Sequence, residues 1–214
     1  RIWLNSLYNR IFFNDLVVRH KIKNEDALRL CVRRLAENVK QPCSLNRLSN
    51  LIKATGTPCS PSTVMEYVRY LQESCLLISI DNFVSKFVEK ETIKKHYFVD
   101  NGLLHLFINN PNTSLLENLC AITLYKKYAN GLYYYNRNIE VDFYVPDEGL
   151  AVQASYQMSD GETIEREMKA LVALHGLHPL KRAMIITYED EGEIERDGLR
   201  IEIRPAWKWV LEGL

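Results

Sequence analysis

The chain has 214 residues, 47% of them apolar and 25% charged, the proportions of an ordinary globular protein able to bury a core in one large or two small domains. No apolar run approaches the roughly 20 residues that span a bilayer, and no secretory-signal pattern is present, so a membrane span is excluded and a cytoplasmic location is expected. Lys and Arg balance Asp and Glu at 27 each, but unevenly. Residues 1–100 hold 16 cations against 10 anions, and residues 101–214 hold 11 against 17. The front half favours an anionic partner and the back half disfavours one.

The opening stretch, from Ile2 to Leu16, spaces apolar residues as a helix does. Three more helices follow. Asn24 is the expected N-cap of the first, which runs through Leu28, Cys31, Val32 and Leu35. Ser44 precedes the second, which stops at Gly56. Ser60 and Pro61 open the third, with Val64, Val68 and Leu71 as its core stripe. Two strands around a polar, lysine-containing turn come next, so that Phe83 to Lys95 would span the wing of a winged helix-turn-helix.

Past a connector near residue 101 the elements alternate. A helix is expected from Ser114 to Ala129, then strands at 132–135, 140–145 and 150–154. A helix at 162–175, strands at 183–187 and 199–203, and a final short helix from Pro205 complete a small mixed-sheet unit. The fold class expected is therefore α/β, or α+β overall. Tyr133, Tyr134, Tyr135, Trp207 and Trp209 read as packing residues of these strands and helices. Five cysteines (Cys31, Cys43, Cys59, Cys75, Cys120) lack C-x-x-C spacing and are expected as reduced thiols, with Cys31 and Cys75 inside apolar stripes.

The chemistry candidates lie on the second unit. Along a strand, alternate side chains share a face, so Glu140 and Asp142 point one way and Val141, Phe143 and Val145 the other. A nuclease of the PD-(D/E)-x-K type places an Asp on one strand and Glu-x-Lys on the next, because two carboxylates hold magnesium and the lysine meets developing charge. Here Asp142 is kept, but Gln153 and Ser155 stand at the Glu and Lys positions. Glu117 is a candidate helix carboxylate, yet Ser114-x-x-Glu117 also reads as a capping box. No zinc spacing, G-x-S-x-G elbow or P-loop is present, and no metal ligand set is expected in this chain. On the front unit, Ser62 and Thr63 sit where a recognition helix meets base edges. Arg47, Lys53, Arg69, Lys86, Lys94 and Lys95 are candidate phosphate contacts.

Eight stretches in order, NDLVVRH, TVMEYVRYLQESCLL, KKHYFVDNGL, LLENL, YYYNRNIEVDFYV, VQASYQM, TIEREMKAL and IEIRPAWKWVL, resemble the C-terminal region of a family of prokaryotic AAA-type ATPases, a domain of unknown function. The resemblance implies a helical linker at 1–21 from an ATPase domain, a winged helix at 22–100 and a restriction-endonuclease-like domain at 101–214. It implies that ATP and magnesium belong to the ATPase domain and that this chain itself holds no cofactor. It also makes Gln153 and Ser155 the family's own version of the nuclease positions, places Arg19 within reach of a nucleotide phosphate, and matches the segment Thr163 to Glu167. Read from the residues alone, that segment is a helix N-terminus at which the dipole favours Glu165 and Glu167. The expected function is non-catalytic recognition of double-stranded DNA or of a protein partner. The alternatives are a metal-dependent nuclease using Glu117, Glu140 and Asp142, and a pure protein-interaction module.

Overall fold

The computed structural model describes residues 1–109, 111–158 and 161–212 and divides the chain into two units. One unit is Arg1–Ser79 with Phe87–Pro111; the other is Ile80–Lys86 with Asn112–Leu214. Helices together with parallel and antiparallel strands make the chain α+β.

In the first unit polar caps set the helix starts. Helix α1 (Ile2–Arg10) runs into a π-helix, Ile11–Val18, whose inward side buries Phe12 and Leu16 completely. These residues are part of the first unit. The guanidinium of Arg29 lies 4.0 Å over the Phe12 ring. Helix α2 (Glu25–Glu37) begins where Asn24 Oδ1 accepts the Ala27 N–H at 3.0 Å. The two-residue strand β1 (Cys43–Ser44) leads into α3 (Leu45–Lys53), capped by Ser44. Ser60 caps α4 (Pro61–Glu73) in the same manner. Each such cap is worth about 1 kcal/mol. Leu28, Cys31, Val32, Leu35, Leu48, Ile52, Val64 and Leu71 form the buried stripes of α2, α3 and α4.

Helix α4 closes on an unusual residue. Leu76 N–H donates to Leu71 O at 2.9 Å, and Cys75 between them holds φ +52°. This is the left-handed helix stop where glycine is usual. Cys75 is therefore exposed, not buried as its place in an apolar stripe predicts. The turn points its side chain outward.

Strand β2 (Leu77–Asn82) and strand β3 (Ile93–Phe98) follow, in the order β1-β3-β2. The segment joining them is not the simple polar turn expected from its lysines. It contains a short helix, α5 (Phe87–Thr92), with no buried residue. Helix α6 (Asn101–Leu104), capped by Asp100, completes this unit.

The second unit takes the end of β2 as its first strand, parallel to β4 (Tyr133–Asn136) through Asp81 and Tyr133. Phe83 inserts here, its ring 5.1 Å from Tyr144 and 5.4 Å from His178. The strand order continues through β5 (Glu140–Val145), β6 (Leu150–Ala154), β7 (Arg182–Thr187), β9 (Leu199–Pro205) and β8 (Gly192–Arg196). β4, β5 and β6 pair antiparallel, β6, β7 and β9 parallel. Helices α7 (Asn112–Tyr128), α8 (Gly161–Leu177) and α9 (Ala206–Glu212) complete the unit. Met168, Leu171 and Leu174 of α8 share a core with Val141, Ala151, Ala183, Ile185 and Ile201 of the strands. Trp209 is fully buried, but Trp207 is 61% exposed and so is not the packing residue expected.

Candidate functional site

The antiparallel pairing of β5 with β6 runs from Val145↔Leu150 to Phe143↔Val152. The next position on the two strands is Asp142 and Gln153. There side chains replace the ladder. Gln153 Oε1 accepts the Asp142 N–H at 2.8 Å, and Gln153 Nε2 donates to Glu140 O at 3.1 Å. Asp142 Oδ2 in turn accepts the Ala154 N–H at 3.1 Å. The two strands are stitched together by one amide and one carboxylate. Gln153 is buried, and both ends of its amide are committed to the β5 backbone.

Val141, Phe143 and Val145 are buried on one face of β5; on the other, Glu140 is exposed, Asp142 half-buried and Tyr144 buried. Ser155, also buried, continues β6 toward β7 through its N–H to Ile186 O at 2.9 Å, and its hydroxyl donates to Gln157 O at 3.3 Å. It presents no positive charge at the lysine position.

Ser114 and Glu117 do not form a capping box. Helix α7 begins at Asn112, directly after Pro111, so Ser114 lies inside the first turn and Glu117 in the buried body of the helix. The Ser-x-x-Glu pattern is real, but the proline moves the helix start back by two residues. Glu167 is likewise no longer a helix N-terminal residue, since α8 begins at Gly161. It is buried and bonded by Arg166 Nη2 at 2.7 Å and Nε at 3.2 Å. Burial raises its carboxyl above the ordinary value, the Arg166 bonds oppose this, and the charges of Asp142 and Glu140 add to the rise. Burial also pushes up the Cys120 thiol, reinforced by Glu117 and Asp142. The β5 carboxylates Asp142 and Glu140 thus act on Glu167 of α8, while Asp142 and Glu117 of α7 both act on Cys120. Glu167 is the member that its sequence position near a helix start disguised. Glu165 is separate: Arg196 and Lys169 bind it and lower its carboxyl to about 2. Among the described residues, no group of three or more His, Cys, Asp or Glu is arranged to hold a metal ion.

The candidate nucleic-acid contacts of the first unit divide into several situations. Arg47 and Lys53 are exposed on α3. Ser62 and Thr63 are drawn into the α4 cap, their hydroxyls 2.7 and 2.8 Å from Ser60 Oγ. Arg69 is exposed but lies 3.8 Å from Glu73 and over the Tyr70 ring. Lys94 is half-buried on β3, and its neighbour Lys95 is fully buried, away from any surface a phosphate reaches. Lys86 is exposed and belongs to the second unit. Arg19 is exposed just past the π-helix, and Asp15 O accepts a bond from Ser74 Oγ at 3.3 Å. The first unit carries 15 Lys and Arg against 9 Asp and Glu, the second 12 against 18.

A family model described as a domain of unknown function (DUF8612) matches residues 1–114, more than half of the chain. The chain belongs to that family. This DUF8612 chain is 29% identical to an uncharacterized protein of Methanocaldococcus jannaschii, over 97% of its own length and 49% of the relative's. It is 26% identical to an uncharacterized protein of Haemophilus influenzae, over 98% of its own length and 52% of the relative's. The chain thus spans about half the length of the curated relatives it matches. No solved structure matches it. Among the described residues, no helix is long and apolar enough to cross a membrane.

Proposed function

We propose that this chain is a non-catalytic recognition region of a larger, AAA-type ATPase, acting in the cytoplasm. Its first unit is read as a winged helix that meets double-stranded DNA. Its second unit is read as a restriction-endonuclease-like domain without cutting chemistry. The observation that carries the non-catalytic reading is the Gln153 amide. A magnesium site of the nuclease kind needs a second carboxylate at that position. Here a neutral amide stands instead, its oxygen accepting the Asp142 N–H and its nitrogen donating to Glu140 O, so the position supplies no negative charge to a cation. Ser155 supplies no charge for a transition state. The residues present do not fit the ion.

The ATPase part rests on the resemblance of the ordered motifs and on the relatives' length, about twice that of this chain. ATP and magnesium belong to that part. The DNA reading rests on the net +6 of the first unit and on exposed Arg47 and Lys53. Titrating a fluorescent 20-base-pair duplex with the chain between 50 and 200 mM salt tests it. Binding that weakens steeply with salt, and by about three- to tenfold in an Arg47→Ala, Lys53→Ala double variant, is expected. Binding absent at 50 mM salt sinks the DNA reading.

One observation favours a protein partner for the same helix. The outward stripe of α4 is Ser62, Met65, Glu66, Arg69 and Glu73, with two acids against one arginine. A phosphate backbone does not favour that stripe, whereas a polypeptide accommodates it. Loss of DNA binding in the titration moves the assignment to this second reading.

A further inference from the structure

The parallel strands β6, β7 and β9 end together, with Ala154 opposite Ile186 and Thr187 opposite Pro205. Just beyond that edge the pairing continues for one more bond, from Tyr188 N–H to Tyr156 O at 3.2 Å. It brings the two tyrosine rings into a stack, centroids 4.9 Å apart and planes 16° from parallel. Tyr156 is half-buried and Tyr188 is 52% exposed. Trp207, two residues past the end of β9, is also exposed. An aromatic pair held by main-chain bonds loses little side-chain freedom on binding, which favours its use as a contact surface.

The charge beside this pair is negative. Tyr188 is followed by Glu189, Asp190, Glu191 and Glu193, and the unit as a whole carries six more acids than bases. Asp190 holds the loop, accepting Met158 N–H at 2.9 Å, while Glu191 pairs with Lys208 and Glu193 with Arg200. Glu189 is exposed at the pair's side. Phosphate is repelled here, so a nucleic acid is the wrong occupant. A guanidinium is the right one. It stacks on an aromatic face and pairs with a carboxylate at once, which an ammonium does less well. We propose that the Tyr156–Tyr188 edge of the second unit is a docking surface for an arginine-bearing segment of a protein partner. The surface goes beyond the DNA reading of the first unit and does not depend on it.

Fluorescence anisotropy with two labelled nonapeptides, all-arginine and all-lysine, tests the surface on the 214-residue chain, with a 15-mer of oligothymidylate as the nucleic-acid probe. The arginine peptide should bind at least about threefold more tightly than the lysine peptide. Tyr188→Ala should abolish that preference, Tyr188→Phe should keep it, and Glu189→Gln should weaken both peptides. Equal binding of the two peptides would reduce the edge to diffuse charge attraction and overturn the proposal. An unaltered preference in Tyr188→Ala overturns it too. So does oligothymidylate that binds through Tyr188, and in that case the edge is a base-stacking site. Circular dichroism of each variant separates a lost contact from a lost fold.

Discussion

Gln153 Oε1 accepts the backbone N–H of Asp142 at 2.8 Å, in the place where a ladder bond between β5 and β6 would otherwise form. The same amide donates to Glu140 O, so one side chain does the pairing of a strand residue. Gln153→Ala leaves a donor and an acceptor of β5 without these partners in a buried setting. A loss of about 2–4 kcal/mol is expected, read from urea midpoints at constant slope. Gln153→Glu keeps one acceptor, loses the donor and sets a carboxylate beside Asp142. It should also destabilise, and calorimetry should show whether the added charge brings magnesium binding. Unchanged midpoints in both variants would refute the bridging role.

Gly149 offers a sharper backbone test. It holds φ +59° between Pro146–Glu148 and β6, and its carbonyl accepts the N–H groups of Lys181 and Arg182 at 2.8 and 3.2 Å. A Cβ there would meet Lys181 N at 3.1 Å. Strain and crowding act together, so Gly149→Ala should cost about 1–3 kcal/mol. A neutral result in denaturant would contradict this geometry.

Cys75 is the opposite case. It is exposed, carries φ +52° and occupies a helix stop suited to glycine. Cys75→Gly should stabilise the chain by about 0.5–1 kcal/mol, the left-handed strain removed less the entropy gained by the unfolded chain. Thermal and urea unfolding of the variant should agree in sign.

His96 makes stability depend on pH. It is buried and hydrogen-bonded to Ser79 Oγ at 2.8 Å through Nδ1. Burial first, and the charge of Lys94 second, lower its pKa to about 4 from the usual 6.5. The unfolded chain therefore binds the proton more readily than the folded one. Stability from this group is full above about pH 6.5 and is lost as pH falls toward 4, by up to about 3 kcal/mol. In His96→Gln that slope should flatten within the same window, so the gap between variant and parent should narrow on acidification. A constant gap from pH 7 to pH 4 would show that His96 titrates normally.

Much of the architecture was legible from local chemistry. Asn24, Ser44 and Ser60 announce three helix starts because a short polar side chain satisfies backbone N–H groups that no helical partner reaches. The alternation in EVDFYV announces β5 for an equally local reason. β8 was missed because an edge strand needs no apolar face: Ile194 is the sole apolar residue among Glu193, Glu195 and Arg196. The Asp197–Gly198 pair, both at positive φ, was the available hairpin signal.

The candidate site was only half legible. Asp142, Gln153 and Ser155 could be placed on adjacent strands from spacing, and the neutral residues at two positions could be read directly. That Gln153 bonds to β5 backbone, that Glu117 lies in a buried helix body and that Glu167 lies in the field of Asp142 depended on approaches between residues distant in the chain, 11 positions for Asp142 and Gln153 and 25 for Asp142 and Glu167. The sequence by itself determined the helix caps, the core-facing alternation and the missing charges, because each depends on a residue and its near neighbours. Only the tertiary structure decided which polar groups are buried together, which tyrosines stack at a sheet edge and which lysine is lost to the interior. Those depend on distances that chain proximity does not set.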